Sequence, residues 1–314
     1  MNEIVPVDQL PDFDLVADSA LKTLRDGSAS VYAVAYKKWA MWCEERSINP
    51  SNLHPDLIVQ FLIEQPVTMT TRKNYMSALR KFVWVLSLDF RNPAYRSLYE
   101  FLKGMPVPET GLAGRERNKV ALTPGQVHRV LTFWVEPEEL QAPENIANKN
   151  LRNHILLCAA LALGARRAEV VKLEWRDLDI ENGTVVIRHG KGDKERVAAF
   201  VGDFALTPLR QWRERIPEYQ YIFVPVNKGD VIEGDRPITG NTFYRMVKDV
   251  SVEIGVDFAT HDFRRSLITE LLNMGANIRD IQAQAGHANE ATTLRYAQSS
   301  DAHQRREKFK TRWE

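Results

Sequence analysis

The stretch LDIENGTVVIRHGKGDKERVAAFV, residues 178–201, is where the hydrophobic period changes. Asn182-Gly183 is a hairpin signal, because both residue types accept the positive φ that a tight turn between twisted strands needs. The β-branched run Thr184–Arg188 follows it. Gly190–Lys194 reads as a second turn and Glu195–Val201 as a second strand. A short strand near Leu178–Ile180 completes a three-stranded antiparallel sheet. On both sides of this stretch the apolar residues recur at three and four, the period of a helix with one buried face. The reading is a mainly α chain of α+β type, with a small sheet set among helices.

Working outward, helices are expected at about 124–134, 148–163 and 167–173 before the sheet. After it they are expected at 207–215, 240–254, 261–274, 277–285 and 289–297. Leu122-Thr123-Pro124 opens this unit, a cap followed by proline in the first turn. Upstream, 105–120 carries Pro106, Pro108, Gly111 and Gly114 among polar residues and reads as a linker. Residues 21–104 read as a separate helical unit. Its first stripe is Val31, Val34, Ala35, Trp39, Trp42 and Cys43. A second helix opens at Pro55. A third starts near Thr70 or Thr71, runs to about Leu88, and buries Met76, Leu79, Phe82, Val83 and Leu86. A fourth spans about 93–103. Residues 1–20 read as a weakly structured acidic leader.

The chain has 314 residues, 44% hydrophobic and 26% charged, which suits two packed domains and excludes global disorder or a fibrous repeat. Lys and Arg total 42 against 41 Asp and Glu, so bulk charge makes no case for a nucleic-acid partner. Distribution makes one. Thr71–Lys81 holds four bases and no acid, and 302–313 holds five bases against Glu307. Cys43 and Cys158 lie far apart with no CxxC, so neither a disulfide framework nor a thiolate zinc site is expected. No apolar run reaches the 18 or so residues of a membrane span. A soluble, cytoplasmic or nucleoid-associated protein is expected.

Four segments of the second unit carry chemistry. Gly164-Ala165-Arg166-Arg167-Ala168-Glu169 offers guanidinium groups at a helix start. Gly190-Lys191-Gly192-Asp193-Lys194-Glu195-Arg196 puts a lysine on a hairpin tip, without the spacing of a phosphate-binding loop. His261-Asp262-Phe263-Arg264 places a histidine and an arginine three apart, on one helix face, opposite a buried face of Phe263, Leu267, Leu271 and Met274. Gly286-His287 precedes Tyr296 by nine residues. Each alone has an ordinary structural explanation. Together, two arginines, a lysine, two histidines and a tyrosine suit a phosphodiester. Arginines bind phosphate oxygens bidentately and keep their charge at any working pH. One donor aimed at the charge of a transition state is worth about 2.7–4 kcal/mol.

This ordered set resembles the tyrosine recombinase (phage integrase) family, and the resemblance covers about residues 21–314. It implies an all-helical core DNA-binding domain of SAM-like type at 21–104. A catalytic domain at 121–314 would complete a C-shaped clamp on DNA. Tyr296 would attack the scissile phosphate and form a 3′-phosphotyrosyl bond. Arg166 and Arg264 would hold the non-bridging oxygens. Lys191 would protonate the departing 5′-hydroxyl, His261 would assist proton transfer at the tyrosine, and His287 would hydrogen-bond the phosphate. Glu169 would support the site from behind. No cofactor and no metal would be needed. The partners implied are double-stranded DNA with an inverted-repeat core site and three further copies of the chain, a monomer in solution becoming a tetramer on DNA. Strand exchange would be sequential, through a Holliday junction. The tail 298–314, with Phe309 and Trp313, would dock on a neighbouring protomer.

A one-residue slip would exchange Arg166 and Arg167; the Gly-x-Arg-x-x-Glu register selects Arg166. Lys37, Lys38, Arg72, Lys73, Arg80 and Lys81 are candidate phosphate contacts in the first unit, and Arg265 in the second. Three competing readings remain at this stage. They are a type IB-like topoisomerase, a non-catalytic DNA-binding protein on the same scaffold, and a metal-dependent phosphohydrolase using His261 and His287.

Overall fold

The computed structural model describes residues 10–88, 93–109, 121–188 and 195–286. Two compact units divide the chain at 118/119. The first holds α1 (Phe13–Lys22), α2 (Asp26–Glu44), α3 (Pro55–Glu64), α4 (Met69–Leu86) and α5 (Pro93–Gly104). The central helix is α4, whose Tyr75, Met76, Ala78, Leu79, Phe82, Val83 and Leu86 are buried. Its side-chain cap is Thr68, which accepts from the Thr71 amide, so the cap lies two or three residues before the expected Thr70 or Thr71.

The acidic leader is not wholly unstructured. Asp12 caps α1 by accepting from the Leu15 amide at 3.1 Å, and Phe13, Ala17 and Ala20 form one buried face. Phe13 stacks on Phe82 with ring centroids 4.8 Å apart and meets Tyr36 edge-on. The helix forms because this apolar face finds the core, while Asp14 and Asp18 stay in water. The indoles of Trp39 and Trp42 donate to the Pro50 carbonyl and the Glu64 carboxylate, each at 2.7 Å, so burying them leaves no polar atom stranded.

The second unit is built around α7 (Asn148–Leu163), buried almost without a break from Leu151 onward. A helix buried on every side must satisfy its polar residues internally. Arg152 donates to Asn153 and to the Val224 carbonyl, and His154 bonds the Leu131 carbonyl. Asp230, 82 residues away, accepts from the Asn148 and Lys149 amides and serves as the N-terminal cap. Around α7 lie α6 (Pro124–Leu131), α8 (Arg167–Val170), α9 (Leu206–Arg215), α10 (Gly240–Glu253), α11 (Thr260–Asn273) and α12 (Ile278–Ala285). The sheet is β1 (Leu178–Asp179), β2 (Thr184–Ile187) and β3 (Arg196–Ala199), antiparallel in that order. Val185 and Ile187 alternate inward, and Val185 sits opposite Ala198. The elements are shorter than expected in places. The α8 helix ends at Val170 rather than near residue 173, and Met274 of the expected buried face is 71% exposed beyond the end of α11.

Among the described residues, no helix is long and apolar enough to cross a membrane. Both cysteines are buried, and burial pushes each thiol up to about 12, out of the reactive range.

Candidate active site

The site begins where α7 stops. Gly164 takes a left-handed φ of 56°, and a Cβ there would meet Leu267 at 2.8 Å, so both backbone and space demand glycine. That turn sends the chain to Arg166, the residue before α8. The Arg166 backbone amide and its guanidinium both donate to Glu169, at 2.8 and 2.7 Å. The other Nη of Arg166 donates to the Gly286 carbonyl at 3.0 Å. Arg167, by contrast, is exposed, with its guanidinium 5.8 Å over the Tyr244 ring. Of the two neighbours, Arg166 faces the cluster.

Glu169 is buried and holds two guanidinium groups, Arg166 on Oε1 and Arg196 on Oε2, each at 2.7 Å. Burial, the largest influence on its carboxyl, pushes its pKa up. The hydrogen bonds from Arg196 and from the amide and side chain of Arg166 outweigh burial, and the net shift is downward. Glu169 therefore stays ionised and fixes two arginines in place.

Arg196, at the start of β3, reaches across to the end of α12. Its Nε donates to the Gln284 carbonyl at 3.4 Å. Gly286 ends α12 at φ 64°, and a Cβ there would lie 2.9 Å from the Arg196 guanidinium. Glycine at 286 thus lets the helix end lie against that cation. Sequence reading quoted Arg196 only as part of the motif around Lys191. Its link to Glu169 emerges only when the sheet brings β3 beside α8.

Arg264 on α11 is 1% exposed and donates to the Gly164 carbonyl at 2.9 Å, directly under the Arg166 turn. His261 lies one turn earlier, at the surface. Protein crowded around its ring lowers its pKa first. Arg264, Arg265 and Arg166 lower it further, against an opposing pull from Asp262. His261 is therefore neutral near pH 7, in the form that accepts a proton. Asp262 caps α11 by accepting from the Ala259 amide.

Two guanidinium groups thus share one carboxylate and a third, Arg264, holds the Gly164 carbonyl, a gathering of cations suited to an anion. Residues 129–303 match the Phage integrase family. The chain belongs to the phage integrase family. Its enzyme class is tyrosine site-specific recombinase. It is 26% identical over 265 residues to "Tyrosine recombinase XerA" of Pyrococcus horikoshii, spanning 83% of this chain and 87% of that protein. It is 32% identical over 241 residues to "Tyrosine recombinase XerC" of Staphylococcus carnosus, spanning 73% and 76%. Its fold is similar to a crystal structure of XerH site-specific recombinase bound to palindromic difH substrate. The TM-score there is 0.65 at 19% identity, over 98% of this chain and 90% of that one. The Tn1549 transposon integrase with transposon right-end DNA is also similar, with a TM-score of 0.60 at 16% identity over 95% and 98%.

Within this integrase-family fold, the structure brings together Arg166, Glu169, His261 and Arg264 of the expected site. Lys191, His287 and Tyr296 lie outside the described residues, as do the expected helix at 289–297 and the tail 298–314. Lys191 falls between β2 and β3 in the sequence, and His287 directly follows Gly286.

The candidate DNA contacts divide. Lys37 and Lys38 on α2 and Lys73 on α4 are exposed. Lys81 sits 3.4 Å over the Trp84 ring, and burial lowers its pKa. Arg72 and Arg80 correct the expectation. Arg72 is 3% exposed and donates to the Pro108 carbonyl. Arg80 donates to the Leu102 and Met105 carbonyls, at the end of α5. Arg80 thereby ties α4 to the end of α5, and Arg72 ties α4 to the segment that follows α5. Arg265 also turns inward, its Nε 3.7 Å from the Asp262 carboxylate.

Proposed function

We propose that this recombinase cuts and rejoins duplex DNA through Tyr296. The phenol oxygen attacks the scissile phosphorus, the bond to the 5′-oxygen breaks, and a 3′-phosphotyrosyl bond forms. His261 takes the phenol proton, which its neutral form allows. Lys191 gives a proton to the departing 5′-hydroxyl. Arg166 and Arg264 hold the non-bridging oxygens, where charge builds in the transition state, and His287 hydrogen-bonds the same phosphate. Glu169 positions Arg166. Rejoining is the reverse reaction from another strand's 5′-hydroxyl, so the bond energy is kept in the phosphotyrosine and no nucleotide cofactor is needed.

The observation that carries this reading is the meeting of Arg166, Arg264 and the Gly286 carbonyl around one turn. Residues 100 and 120 apart in sequence would have no reason to converge there for one helix cap. The partner proposed is double-stranded DNA with an inverted-repeat core, gripped by both units and bound by four copies of the chain. Its place in the cell would be cytoplasmic, on the nucleoid. The topoisomerase alternative gains nothing from the relatives described.

The test uses full-length protein and a pool of nicked duplexes with randomised cores, in chelator. Denatured wild-type samples should contain protein covalently joined to DNA, and Tyr296→Phe samples should contain none. Adducts that persist in Tyr296→Phe would overturn the assignment.

A further inference from the structure

The Gln284 side chain occupies a junction that none of the residues discussed so far explains. Its Oε1 accepts from the Ala199 amide at 2.9 Å, and its Nε2 donates to the Ala199 carbonyl at 2.7 Å. The same Nε2 donates to the Leu163 carbonyl at 3.1 Å. A carboxamide has this donor and acceptor set in one plane; no hydrocarbon or carboxylate side chain has it.

The groups it meets have few other options. In the order β1-β2-β3, β3 is an edge strand. The next amide, Phe200, turns inward to the Gly183 carbonyl at 2.8 Å, so the Ala199 pair faces away from β2. Leu163 is the last residue of α7, where carbonyls have no partner further along the helix. Gln284 imitates one peptide unit of a fourth strand and caps α7 at the same time.

Each joined segment leads to a different part of the site. Three residues beyond Leu163 lies Arg166. Five residues before Arg196, where β3 begins, lies Lys191. Three residues beyond Gln284 lies His287. Arg196 reinforces the junction by donating to the Gln284 carbonyl. We propose that Gln284 is a positioning residue, one that fixes the mutual register of the end of α7, β3 and the end of α12, the elements next in sequence to Arg166, Lys191 and His287, without touching DNA. This inference rests on the function proposed above.

Gln284→Met keeps the length and removes all three hydrogen bonds. Gln284→Glu keeps an acceptor for Ala199 but sets a carboxylate against two carbonyls. Both variants are compared with wild type on the pooled nicked duplexes. The readouts are single-turnover adduct formation at saturating protein, affinity for the same pool, thermal midpoint, and hydrogen exchange at the Ala199 amide. Displacing catalytic groups by about an ångström costs on the order of 100-fold in rate, so Gln284→Met should form adduct tenfold to a hundredfold more slowly at unchanged DNA affinity. Exchange at Ala199 should quicken. The Gln284→Glu defect should shrink as the pH falls and the new carboxyl regains a proton to donate.

Wild-type rates in both variants at saturation would overturn the proposal. So would a loss matched by weaker DNA binding or a collapsed thermal midpoint, or unchanged exchange at Ala199. If wild type itself forms no adduct, the proposed function fails separately. The exchange result then decides the junction alone, faster exchange supporting it and unchanged exchange removing it.

Discussion

The arginines of the two units do opposite work. In the first unit, Arg80 ties α4 to the Leu102 and Met105 carbonyls at the end of α5, and Arg72 donates to the Pro108 carbonyl of the segment beyond it. In the second, Arg166 and Arg196 hold Glu169, and Arg264 and Arg166 donate to the carbonyls of the glycine turns at 164 and 286. One guanidinium chemistry serves the fold in one place and an anion site in the other. What sets Arg166 and Arg196 apart is a charged partner, Glu169. A backbone carbonyl holds a guanidinium's direction, as for Arg80 and, at Gly164, for Arg264. A buried carboxylate shared by two arginines sets both their direction and the local field.

This contrast makes predictions. The largest effect should come from Arg166→Ala. Loss of one donor to a developing charge costs about 2.7–4 kcal/mol, so single-turnover adduct formation should fall 10²–10³-fold. The buried Glu169 carboxylate also loses a donor, so the thermal midpoint should fall as well, and the rate is read per folded molecule at saturating DNA. A rate within a few-fold of wild type would place Arg166 with the structural arginines. Arg80→Ala should show a loss of stability alone. Two carbonyls at the end of α5 lose their donor, at about 1–3 kcal/mol of stability measured by denaturant unfolding. Adduct formation per folded molecule should stay as in wild type. A rate loss at saturating DNA would break the contrast from the other side.

The smallest effect is a slope. Glu169 has a lowered pKa in the folded state. Its contribution to stability is therefore complete above the ordinary carboxylate value, about 4.3, and is lost as the pH falls through the lower folded value. Glu169→Gln should be less stable at pH 7 and should lose less stability on acidification than wild type. Parallel acid limbs for the two proteins would mean that Glu169 is not the ionised anchor described here.

Much of this was legible in residues. The hairpin at Asn182-Gly183, the proline-led helices and the spaced motifs all depend on local chemistry, which sequence carries directly. The α1 helix was harder to see. Its apolar face has only Phe13, Ala17 and Ala20, and five acids in the leader suggested solvation; the core that receives Phe13 is built by Tyr36 and Phe82. Arg72 and Arg80 misled for a similar reason. A basic run on a helix says nothing about which cations face a neighbouring helix end. Arg196 and Gln284 were missed because their partners lie 27, 85 and 121 residues away, joined only when β3 lies beside α8 and α12 packs on β3 and the end of α7. The Arg166–Glu169 pair, three apart, was the part of the site that sequence could show.

The most direct test of the account is the address of the covalent bond. Wild-type protein trapped on the nicked pool is digested with nuclease and protease, and the nucleotide-bearing peptide is sequenced by mass spectrometry. The expected peptide carries a nucleotide on Tyr296 through its 3′ phosphate. A link at any other residue, or through a 5′ phosphate, would contradict it.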